Sequence, residues 1–118
     1  KTDAGKDRIV PIHHLIYPLV EKRYREAERL KLAFHNVGKI REDGDEVICV
    51  VHYPPFNVRR ENSLFTELFE QNEVDKVVYG HLHGKESRID LKIVRNGIEY
   101  FLTSCDQVDN KLTQISEV

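Results

Sequence analysis

The 118-residue sequence has no methionine, no tryptophan and only two cysteines, and nowhere does it carry an apolar run long enough to cross a bilayer. Each shortage excludes something. Cys49 and Cys105 are too few for a disulfide framework, so a reduced, cytoplasmic setting is expected. The missing long apolar run removes a membrane-spanning helix, and no signal peptide is visible at the start. Lysine and arginine form no extended cluster, and the net charge is -2. A surface that neutralises a nucleic-acid backbone needs such clusters, so none is expected. There are no internal repeats and no low-complexity segments. The chain opens on Lys1, as a piece of a longer protein would.

With 40% hydrophobic and 32% charged residues, the composition is that of a soluble globular protein. The length predicts one domain over 1–118, with 1–16 as an irregular lead-in. His13 and His14 fall in that lead-in and read as linker or surface histidines, since neighbours in an extended segment point to opposite sides. From Pro18 onward, Val20, Tyr24, Ala27, Leu30, Phe34 and Val37 recur at steps of three and four, which predicts a long amphipathic helix ending near Gly38. His35, near that helix's end, reads as a partner for its negative pole.

Two apolar, β-branched runs then end on histidines. Glu46 to Val51 leads to His52, and Asp75 to Tyr79 leads through Gly80 to His81 and His83, with Gly84 behind them. Runs of this kind read as strands covered on both faces. Between them Leu64, Phe65, Leu68 and Phe69 share one helical face, with Asn62 or Ser63 placed to cap its start. A strand-helix-strand unit makes its two strands parallel and puts their carboxyl ends at one edge of the sheet, where open α/β sheets hold their ligands. His52, His81 and His83 are therefore expected to converge, with Gly80 and Gly84 freeing the backbone to turn. Neutral imidazole is the commonest metal ligand.

After the second histidine loop the period changes to two. Ile89, Leu91 and Ile93 alternate with polar residues, Asn96-Gly97 supplies a two-residue turn, and Ile98, Tyr100 and Leu102 continue the alternation. If Arg95 pairs with Ile98, Ile93 meets Tyr100 and Leu91 meets Leu102 on a face that should be buried. Residues 106–115 are expected to form a turn and a short final strand, with Asp106 and Asp109 in turn or capping roles. The fold class is thus α/β, with a mixed sheet, a parallel strand-helix-strand unit and a C-terminal antiparallel hairpin.

Val51-His52-Tyr53-Pro54-Pro55, a helix, and then Val77-Val78-Tyr79-Gly80-His81-Leu82-His83-Gly84 resemble the C-terminal half of the calcineurin-like metallophosphoesterases, over roughly Pro18 to Ile115. The resemblance implies half of an α/β/β/α sandwich, a phosphate ester as substrate and a two-metal centre of Mn, Fe or Zn. By resemblance His52 and His81 bind one ion and His83 the other. The family's N-terminal motifs, Asp-x-His, Gly-Asp-x-x-Asp and Gly-Asn-His-Asp or Glu, have no counterpart in this sequence. The remaining ligands, and the bridging carboxylate among them, would come from a missing N-terminal half of the catalytic domain, and no catalytic residue is identified in this chain.

The donor set that the resemblance implies, these imidazoles with carboxylates from the missing half, suits that chemistry. Imidazoles joined by carboxylates suit transition metals, whereas Ca²⁺ and Mg²⁺ prefer oxygen. Two ions a few ångströms apart activate water and clamp the phosphoryl oxygens. Three histidines hold at most one ion by themselves. Two alternatives fit the same residues: a self-contained mononuclear zinc hydrolase with an open fourth position, and a non-catalytic relic or interaction module of the same fold.

Overall fold

A computed structural model describes residues 17–57, 59, 61–82 and 90–117. The lead-in over 1–16, with His13 and His14, lies outside the described residues, as do His83, Gly84 and Ile89. The chain divides into two compact units, Lys1–Asn36 and Val37–Val118. Helix α1 (Tyr17–Gly38) makes up the described part of the first and crosses the boundary in its last turn. Ala27 and Phe34 are its buried positions, while Tyr24, expected on the apolar stripe, is 59% exposed.

The second unit is built on a four-stranded mixed sheet. Its elements in chain order are β1 (Ile48–Val50), α2 (Leu64–Gln71), β2 (Lys76–Tyr79), β3 (Lys92–Arg95) and β4 (Ile98–Leu102). The strand order is β1-β2-β4-β3. β1 and β2 are adjacent and parallel, with Cys49 opposite Val77, as the strand-helix-strand reading requires. β4 then adds parallel to β2, so the hairpin's second strand is the one that enters the sheet's interior.

The hairpin forms in the register that the alternation predicts. Arg95 faces Ile98 and Ile93 faces Tyr100, and the Leu102 amide donates to the Leu91 carbonyl at 2.9 Å. Asn96 and Gly97 both take positive φ, 49° and 80°, the two-residue turn whose twist matches that of its strands. Ile93, Ile98, Tyr100 and Leu102 are buried, but Leu91 at the open end is 43% exposed.

One face of the sheet carries the core. Val77, Tyr79, Tyr100 and Leu102 are essentially inaccessible there. Phe69 of α2 packs a tilted ring on Tyr100, and Phe56, from the loop before α2, lies edge-on to both Tyr79 and Tyr100. α2 starts at Ser63, whose hydroxyl accepts from the Thr66 amide while the Thr66 hydroxyl accepts from the Ser63 amide, a reciprocal box that satisfies two otherwise orphaned donors. The Ser63 hydroxyl also donates to the Pro55 carbonyl, which ties the loop to the helix start.

The opposite face departs from expectation. β1, read as a strand covered on both sides, is an edge strand with Ile48 40% and Val50 77% exposed. Apolarity in a strand reports the surface it offers. It does not report whether this chain covers that surface. The final strand expected within 106–115 does not form either. Residues 105–110 are turns, with Asp109 and Asn110 at φ of 53° and 56°, and 111–117 run without regular structure. Side chains hold this tail instead of a ladder: the Lys76 ammonium donates to the Ile115 carbonyl at 2.7 Å, and Ser116 bonds the Glu46 carboxylate. The Ser116 hydroxyl, helped by Lys76 at 3.1 Å, holds the exposed Glu46 carboxyl below its usual range. No helix among the described residues is long and apolar enough to cross a membrane.

Candidate metal centre

The ladders between β1, β2 and β4 continue past the ends of the strands. The Val51 amide donates to the Val78 carbonyl at 2.9 Å, Gly80 to His52 at 3.0 Å, and Thr103 to Tyr79 at 2.9 Å. These bonds hold the carboxyl ends of β1 and β2 side by side. They place His52 and His81 at the same edge.

The two rings meet there. The Nδ1 atom of His81 lies 3.3 Å from Nε2 of His52, and the ring centroids are 5.1 Å apart at 72°. Both side chains are exposed. Two metal–nitrogen bonds of about 2.0–2.1 Å that enclose roughly the tetrahedral angle, about 104–111°, separate their nitrogens by about 3.3 Å. The pair therefore fits one shared ion. The same separation also serves an N–H···N hydrogen bond between neutral rings of suitable tautomers.

His81 reaches this position through its own backbone. Its φ is +72°, a left-handed conformation that histidine adopts more readily than most residues but still at a cost of order 1 kcal/mol. Gly80, expected to provide the turn, is not at positive φ. A Cβ on Gly80 would sit 3.8 Å from the His52 carbonyl oxygen and the Ser104 hydroxyl, an ordinary contact. Among the described residues of this turn the positive φ falls on His81, which no compositional signal marks, while Gly84, the other glycine expected to free the turn, lies outside the described residues.

Sequence reasoning also missed Tyr53. Its ring is 4.8 Å from that of His52, edge-on at 78°, and 4.7 Å from that of His81, tilted at 60°. The chain bends at His52 and Tyr53, so two consecutive side chains that would diverge in a strand lie together. An aromatic residue directly after a strand-ending histidine was the available signal. The bend was not readable. Ser104, two residues after β4, is 5% exposed, and among the described residues its hydroxyl has no hydrogen-bond partner.

Burial pushes the Cys49 thiol up to about 11, so at neutral pH it is protonated and a poor ligand. Tyr100 is pushed up to about 12, by burial first and by nearby Glu70 second. Asp109 occupies a turn, and His35 stays exposed in the last turn of α1. Among the described residues, no group of three or more His, Cys, Asp and Glu side chains is placed to hold an ion. His83, expected to bind the second ion, lies outside the described residues. No family model, no curated protein and no solved structure matches this chain.

Proposed function

We propose that this chain supplies part of the ligand set of a metal-dependent phosphoric ester hydrolase of the calcineurin-like metallophosphoesterase kind. His52 and His81 hold one divalent transition metal, Mn, Fe or Zn, and His83 serves a neighbouring one. The observation that carries this reading is the approach of His52 Nε2 and His81 Nδ1 to 3.3 Å from the ends of two parallel strands.

The bound ions would lower the pKa of a coordinated water and offset charge on the phosphoryl oxygens. The chain's own residues position. His52 presents Nε2 from a strand end, and His81 presents Nδ1 from a left-handed turn that β2 and its ladder hold in place. Both bind as neutral imidazoles. Two imidazoles leave most of the coordination sphere to other donors. Carboxylates from a further segment of the catalytic domain complete it.

The test is titration of the 118-residue chain with Mn²⁺ or Zn²⁺, paired with an assay on an aryl phosphate and an aryl phosphodiester. Weak binding that disappears in both His52→Ala and His81→Ala, together with negligible turnover, is the expected result. Unchanged binding in either variant removes the metal assignment. Robust turnover by the chain alone replaces the shared centre with the self-contained mononuclear zinc site.

A further inference from the structure

We infer that Tyr53 is the positioning residue of this centre, its ring fixing the angle at which His52 and His81 present their nitrogens. The role exists only if the two histidines hold an ion as proposed above. The ground is a closed triangle of rings. His52–Tyr53, Tyr53–His81 and His52–His81 have centroid separations of 4.8, 4.7 and 5.1 Å, with interplanar angles of 78°, 60° and 72°.

Exposed imidazoles rotate about their outer side-chain torsion, whose well is broad and shallow. A rotating ring turns its nitrogen lone pair away from a shared ion. Both histidines are exposed, whereas Tyr53 is half-buried and leads into the most firmly held part of the loop. Pro55 is fully buried, its carbonyl takes the Ser63 hydroxyl, and Phe56 is edge-on to Tyr79 and Tyr100 in the core. Tyr53 is thus the anchored member of the triangle and the histidines are the members it restrains. Its contacts are edge-on and tilted, the arrangements aromatic pairs favour, so they hold orientation as well as distance.

A restraint of this kind acts on affinity. Rings already oriented lose less freedom when they coordinate, and partners that orient metal-bound histidines are commonly worth 10- to 100-fold in binding. These contacts run from ring to ring.

The experiment uses Co²⁺, whose d–d absorption reports ligand geometry, titrated into the chain and four variants: Tyr53→Phe, Tyr53→Leu, His52→Ala and His81→Ala. Tyr53→Phe keeps the ring and should bind like the parent. Tyr53→Leu should bind about tenfold more weakly with an altered absorption band, while its thermal unfolding without metal stays close to that of Tyr53→Phe. A merely structural tyrosine would shift unfolding and leave the spectrum of the bound ion alone. Parent-like affinity and spectrum in Tyr53→Leu overturn the role of Tyr53, and loss of binding in the histidine variants alongside that result keeps the metal reading. Parent-like binding in the histidine variants overturns both, as does the absence of Co²⁺ binding by the parent.

Discussion

At His81 the backbone takes a conformation that costs a residue with a side chain. A φ of +72° suits glycine, and a β-carbon in that region costs about 1–2 kcal/mol. The residue is exposed and belongs to no core, so packing does not compensate. Strain of this kind, held by its surroundings, is typical of sites where a side chain must be aimed. His81→Gly should therefore be more stable than His81→Ala by about 1 kcal/mol, since both remove the imidazole but only glycine accepts the angle without strain. Denaturant unfolding of the pair measures it. Equal midpoints would mean that the turn relaxes in the variants and stores nothing in the parent. The histidines themselves were legible because each follows an apolar run. The backbone angle that aims one of them was not, because a dihedral is set by tertiary ladders on both sides of the residue.

At the scale of elements, α2 and the site loop are one construction. The Ser63 hydroxyl accepts from Thr66 and donates to the Pro55 carbonyl, so the atom that caps the helix also pins the segment carrying His52 and Tyr53. Ser63→Ala should lose about 1 kcal/mol of stability, the usual worth of an N-cap, and should also weaken metal binding, though Ser63 touches neither histidine. Unfolding midpoints and a metal titration on the same variant check both halves. A stability loss with unchanged affinity would separate the cap from the site. Asn62 and Ser63, ahead of the apolar face of Leu64 to Phe69, made a cap readable in advance without deciding between them, and the alternation around Asn96-Gly97 made the hairpin register readable. The bond to Pro55 was invisible because it spans eight residues and depends on where the loop folds back. The final strand failed for a related reason: Ile115 and Ser116 are held by Lys76 and Glu46, which satisfies the tail without giving it a ladder.

Across the second compact unit, the sheet has two edges and treats them differently. β3 closes one edge with Lys92 and Arg95 at its ends, charges that discourage a further strand. β1 forms the other edge as Ile48-Cys49-Val50, with no charge or proline within it. Ile48 and Val50 face the same side, each pairing with a β2 residue of that side, Lys76 and Val78. Their exposure of 40% and 77% leaves an apolar strip on a strand that has, among the described residues, a ladder on one side only. Such an edge is a template for another strand. In solution the isolated chain should associate as concentration rises, and Val50→Lys should suppress that association. Because Val50 is mostly solvated already, the substitution should change stability by no more than about 0.5 kcal/mol. Light scattering over a concentration series, with unfolding midpoints beside it, makes the measurement. A parent chain that stays monomeric throughout would mean that the β1 edge is shielded in solution, whereas association that persists in Val50→Lys would place the contact on another surface.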